Sequence, residues 1–177
     1  RWRGAFVAVF GLIGFLFVTY QWVLPVAAEY AATKVPLAWE ERLGREAIAF
    51  LEQRVFSTTQ LSNERRDALT NRFEAIAPED GRHYAIRFRA SKIGPNALAL
   101  PGGVIYVTDE LVELAPDDDA VLGVLAHELG HIERRHLMRR LFASAAVGAA
   151  AAVLFGDVST VLAALPAILI DLDYSRA

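Results

Sequence analysis

His127-Glu128-Leu129-Gly130-His131 is the segment of this chain best equipped for chemistry. On an α-helix, residues four apart lie nearly above one another, so both imidazoles project from one face. A single zinc ion accepting two histidine nitrogens at roughly 2.0–2.1 Å needs that spacing. Glu128 sits one residue round from His127, beside the metal position, where its carboxylate can take a proton from an attacking water. The pattern is a signature of zinc-dependent peptide hydrolysis. An ordinary amphipathic helix carrying two histidines by chance is the alternative. The reading is therefore His127 and His131 as ligands of one zinc ion per chain and Glu128 as general base.

A catalytic zinc usually has three protein ligands and an open position for water. His136 is the obvious third candidate, but on a continuing helix it points about 180° away from His127. Glu133 falls on the wrong face as well. The metzincin spacing would place Gly at 134 and His at 137, where this chain has Arg134 and Leu137, so that class is excluded. Asp157, Asp171 and Asp173 lie far enough along to return, and nothing in their spacing selects one. The chain has no cysteine, which removes thiolate ligands and disulfides together.

The elements that must position this motif sit in a chain of 177 residues, 54% hydrophobic, with mean hydropathy +0.30. That balance points to membrane contact. The formal net charge of −3 is too mild to argue for nucleic acid, and no aromatic-basic stripe supports that partner. The chain begins with Arg1, not Met, and its last residues carry no stop signal, so a longer native protein is expected at both ends.

Gly4 to Ala28 contains no charged residue and is rich in Phe, Val, Leu and Ile. A bilayer span takes about 20 apolar residues, and Trp2, Tyr20 and Trp22 stand near the ends, where interfacial aromatics are expected. Val26-Ala27-Ala28 is a weak cleavage-site match, but the apolar core exceeds the roughly 7–15 residues of a signal peptide. An uncleaved anchor over 1–28 is preferred. Arg1 and Arg3 favour a cytoplasmic N-terminus, which places the catalytic part outside, facing the periplasm in a bacterial inner membrane.

Pro36 to Phe56 reads as an amphipathic helix, with Leu43, Ala47, Phe50, Leu51 and Val55 on one stripe. Ser62 is a plausible cap for a second, with Leu69, Phe73 and Ile76 as its apolar face. Tyr84, Ile86 and Phe88 alternate within His83–Arg89 as in a half-buried strand, and His83 reads as an exposed strand residue. Ala97–Leu100 and Val104–Thr108 flank Pro101-Gly102-Gly103, two short strands around a tight turn. Asp109 begins a short helix, and Pro116-Asp117-Asp118-Asp119 caps the motif helix. Arg134, Arg135, Arg139 and Arg140 near its end complement the dipole. Leu141 to Ile170 is a second apolar stretch, divided at Gly156-Asp157 into halves short for a full span, and reads as a helical hairpin. Those arginines fit an outward face poorly, which argues either that the hairpin rests on the bilayer without crossing it or that the orientation is the reverse.

Asn96-Ala97-Leu98-Ala99-Leu100-Pro101-Gly102-Gly103-Val104-Ile105-Tyr106-Val107, followed by the run from His127 to His136, resembles the M48 metallopeptidases, which are membrane-associated zinc endopeptidases. The resemblance runs from about 36 to 177. It implies an α+β, zincin-type domain, mostly helical with a small β-sheet, behind the N-terminal transmembrane helix. It also implies that the strand near Pro101–Thr108 is an edge pairing with an extended peptide or protein substrate. The family's third ligand is a glutamate in a Glu-x-x-x-Asp pattern after a Tyr-Ser-Arg-like stretch. Tyr174-Ser175-Arg176-Ala177 looks like the start of that helix, so the ligand is expected just beyond Ala177. The implied activity is zinc-dependent endopeptidase action in membrane-associated protein quality control or processing. Two rivals remain at this point: a chaperone-like module that keeps the fold without needing hydrolysis, and a structural membrane protein with a chance motif.

Overall fold

The computed structural model describes residues 2–155. Their elements run α1 (Trp2–Val18), a π-helical turn (Thr19–Val23), α2 (Leu24–Lys34), α3 (Leu37–Arg54), β1 (Phe56–Thr58), α4 (Asn63–Glu74), β2 (Ala85–Ser91), β3 (Ala97–Leu100), β4 (Val104–Thr108), α5 (Asp109–Leu114), α6 (Asp118–Glu133) and α7 (His136–Phe155). The described chain divides into two compact units, one of residues 2–34 and 138–155, the other Val35–Leu137.

In the first unit, α1, the π turn and α2 form one continuous helix, Trp2–Lys34, with an 18-residue window of mean hydropathy 2.0 that is wholly exposed. It is long and apolar enough to cross a membrane. Pro25 explains the π turn. It has no N–H to give the carbonyl four residues back, and the Leu24 N–H bonds to Thr19 O, five residues back. Within this unit Arg139 of α7 pairs with Glu29 of α2 at 2.8 Å. The first half of the expected hairpin lies in α7; Gly156-Asp157 and the second half lie outside the described residues, as do Asp171, Asp173 and Tyr174-Ser175-Arg176-Ala177.

The second unit is a four-stranded mixed sheet, order β1-β2-β4-β3, covered on both faces by helices. Strand period decides which residue meets which layer. Ala99, Ile105 and Val107 point into a core with Leu69 and Phe73 of α4, Val112 of α5, and Val121, Leu125, Leu129 and Ile132 of α6. Leu98, Leu100 and Tyr106 point the other way, to Ala47 and Leu51 of α3 and Phe56 of β1. Tyr106 stacks on Phe56 with ring centroids 5.2 Å apart and donates its hydroxyl to Glu52 at 3.2 Å.

The turn between β3 and β4 is as compact as its residues suggested. Gly102 (φ 88°) and Gly103 (φ 92°) adopt backbone conformations that side chains resist. A Cβ on Gly103 would strike the His83 carbonyl, and one on Gly44 of α3 would strike that of Pro101. The caps also hold. Ser62 Oγ accepts Arg65 N–H at 3.2 Å, Thr108 Oγ1 accepts Leu111 N–H at 3.3 Å, and Asp117 Oδ1 accepts Ala120 N–H at 2.8 Å.

Several expectations shift. The strand expected at His83–Arg89 is β2, Ala85–Ser91, two residues further on, because its parallel register on β4 begins at Ala85↔Val104. The helix expected to reach Phe56 ends at Arg54, where the chain turns into β1 and pairs with β2. Its buried stripe is Glu40, Gly44, Ala47 and Leu51, with Leu43 left exposed; Ile76, expected on the next helix, is exposed beyond the end of α4. The strand at Val104–Thr108 is not the edge: β4 is paired on both sides, and β3 is the outer strand. The arginines do not share one helix end. Arg134 caps α6, whereas Arg139 and Arg140 lie in the opening turns of α7.

Candidate metal centre

Four buried residues, Val121, Leu125, Leu129 and Ile132, fasten α6 to the sheet at spacings of four, four and three. At about 100° per residue, His127 and His131 fall well away from that stripe, and Glu128 falls on its margin. His127 is accordingly exposed, while Glu128 and His131 are half-buried. The amino end of α6 is fixed through α4: Arg65 pairs with Asp118, and Arg72 with Asp119 and, at 3.7 Å, with Asp118. Those aspartates therefore hold two helices together as well as facing the helix dipole.

His127 Nε2 and His131 Nε2 are 3.1 Å apart. With Glu128 they form a group whose ligand atoms all lie within 4.8 Å of one another. Two nitrogens bound to one ion at roughly 2.0–2.1 Å in tetrahedral geometry stand about 3.3 Å apart, so the donor set suits a single zinc. Imidazole nitrogens with no thiolate nearby favour the borderline divalent ions over the hard ones.

Glu128 does not hang free beside the pair. Its Oε2 accepts the backbone N–H of Ala99, on β3, at 3.0 Å. Burial pushes the Glu128 carboxyl above the ordinary carboxylate range, against the opposing pull of the Ala99 N–H and His127.

His136 does not point away from the site, because α6 does not continue to it. The helix ends at Glu133, Arg134 N–H and Arg135 N–H close on Gly130 O and Ile132 O, and Arg135 takes φ 52°. His136 then opens α7 with its Nδ1 2.8 Å from Nδ1 of His131. That nitrogen is on the far side of the His131 ring from Nε2, so His136 joins the site through His131. No glycine or proline near 134–135 announces the break. His83 is exposed on the approach to β2, outside this group.

Arg135 is anchored within the same unit. Its guanidinium donates to Val35 O at 3.2 Å and pairs with Glu40 of α3 at 3.0 Å. Glu40 is only 3% exposed; burial raises its carboxyl, with Arg135 and Arg82 opposing. Neither Glu40 nor Ala99 carried any sequence signal of a role here.

A half-buried glutamate between two histidines on a helix, laid against the edge of a small mixed sheet, defines the class of zincin-like metallopeptidases. The chain belongs to peptidase family M48, whose family model matches residues 60–169. It is 38% identical over 47 residues to the mitochondrial metalloendopeptidase OMA1 of Saccharomyces cerevisiae, covering 27% of this chain and 14% of that protein. It is 36% identical over 53 residues to OMA1 of Schizosaccharomyces pombe, covering 30% and 16%. The matched stretch thus spans less than a fifth of either relative. Family membership implies a metal cofactor.

Proposed function

We propose that this protein is a membrane-anchored zinc endopeptidase that cleaves peptide bonds of extended protein substrates. His127 and His131 hold one zinc ion through Nε2, and Glu128 is the general base. The observation that carries the reading is the approach of the two Nε2 atoms to 3.1 Å with the Glu128 carboxylate beside them. Bound zinc supplies Lewis-acid polarisation of the scissile carbonyl and acidifies water at neutral pH. Glu128 takes the proton from the attacking water and delivers it to the departing amine. The third ligand is expected as a glutamate outside the described residues.

Substrate binding is assigned to β3. Asn96 bonds to Thr108 across the β3–β4 pair, and antiparallel alternation then turns the backbone groups of Ala97 and Ala99 outward. Extended substrate backbone would pair there and bring its carbonyl alongside Glu128. The proposed domain organisation is an anchor at 1–28 and the peptidase domain from 36 onward, including the apolar stretch 141–170. Arg1 and Arg3 support a cytoplasmic N-terminus with the domain on the outer side of a bacterial inner membrane.

The test is Glu128→Gln in the full-length protein, assayed for zinc content and peptide cleavage. Cleavage lost with zinc retained supports the assignment. Cleavage at the parental rate would remove Glu128 as base. Biological activity persisting without cleavage would favour the chaperone-like alternative.

A further inference from the structure

The contact between His131 and His136 depends on an interrupted helix. On an uninterrupted α6, His136 would lie about 140° around the axis from His131, and the rings could not meet. The left-handed turn at Arg135 redirects the chain and sets the rings 4.7 Å apart at 77°, with the two Nδ1 atoms 2.8 Å apart. Arginine is a poor residue for φ 52°, since its Cβ crowds the following carbonyl. The conformation needs support, and Arg135 receives it from two groups at the start of α3, the Val35 carbonyl and the buried Glu40 carboxylate.

The chemistry of the contact has a direction. A neutral imidazole has one N–H. With Nε2 of His131 committed to a metal, the hydrogen resides on Nδ1 and is donated to Nδ1 of His136. A hydrogen bond on the second nitrogen of a ligating histidine fixes its tautomer and ring orientation. Carboxylates or backbone carbonyls commonly accept it; here another histidine stands in that place.

We propose that His136 is a positioning residue for the ligand His131, held at its Nδ1 by the left-handed break that Glu40 and Arg135 brace. This rests on the reading of His127 and His131 as zinc ligands. The side chain of Asn carries its oxygen close to where histidine has Nδ1, whereas Gln carries it close to Nε2. The two amides therefore separate an acceptor at the right place from mere polarity.

Zinc affinity of the full-length protein is measured by chelator competition for wild type, His136→Asn, His136→Gln and His136→Leu, alongside melting of the metal-free proteins. Expected are affinities about 10- to 100-fold weaker for the Gln and Leu variants and within about threefold of wild type for Asn. Metal-free melting should not follow that order. Wild-type affinity in the Gln or Leu variant, or equal loss in Asn and Gln, would overturn the proposal. If Leu fails to fold, the Asn–Gln contrast decides alone. If wild type itself takes up no zinc, the metal-site reading fails and the positioning role falls with it.

Discussion

Glu128 and Ala99 are joined by a hydrogen bond of 3.0 Å from the Ala99 backbone N–H to the Glu128 carboxylate, linking the proposed base to the outer strand of the sheet. The carboxylate thereby occupies one of the outward backbone donors that an extended peptide would use. The proposed base and the proposed substrate strand are held in register by the same contact.

Replacing Ala99 by proline removes that donor without touching the β3–β4 bonds, which use the neighbouring residues. Ala99→Pro is expected to retain near-native circular dichroism while losing more than about tenfold in kcat/KM for peptide cleavage, a loss of roughly 1.4 kcal/mol or more in transition-state stabilisation. Full activity would mean that the Glu128–Ala99 bond is dispensable for cleavage.

Burial raises the carboxyl of Glu128 in the folded protein above its unfolded value, about 4.3 for glutamate. Its contribution to stability is therefore fully present below that pH and is lost as pH rises through the folded value. Metal-free Glu128→Gln should gain in melting temperature over metal-free wild type from about pH 4 upward, the gap then levelling off. A gap that shrinks with rising pH would contradict the assigned burial effect.

Truncating a ligand should act on metal before it acts on fold, because His127 is exposed and makes no core contact. His127→Ala is expected to lower zinc content below about a tenth of the parent's while metal-free melting changes by no more than about 0.5 kcal/mol equivalent. Elemental analysis and calorimetry on the same preparations check both halves.

Gly44 gives a test of the scaffold alone. A Cβ there meets the Pro101 carbonyl, a backbone atom that cannot swing aside, so α3 or the β3–β4 turn has to move. Gly44→Ala gains in helix propensity but is expected to destabilise by about 1–3 kcal/mol through overpacking. Chemical denaturation of the detergent-solubilised protein measures it, and a stabilised variant would mean the turn yields freely.

The motif helix, the caps at Ser62 and Asp117 and the glycine turn were legible because each is local: a residue type, a spacing or a required φ reports it. What lay outside the sequence's reach was set by distant partners. The burial of Glu40 follows from Arg135, nearly a hundred residues on, and a charged residue on a helix reads as exposed unless that partner is known. Strand position was hidden for the same reason. Val104–Thr108 and Ala97–Leu100 are both apolar, and only pairing with β2 makes the first central and the second outer. His136 was misplaced because an arginine, not a glycine, turns the chain at 135.

β3 is four residues long and is followed by Pro101, which lacks a backbone N–H. A polypeptide laid along it can gain few main-chain bonds, and only by surrendering its own secondary structure over that stretch. Natively folded chains forfeit more than so short a rail returns; frayed termini, slack loops and damaged segments forfeit little. If β3 is the substrate strand, as proposed, discrimination there would be by conformational state, with side-chain identity a secondary matter, and a short outer strand would amount to a filter for locally unravelled polypeptide.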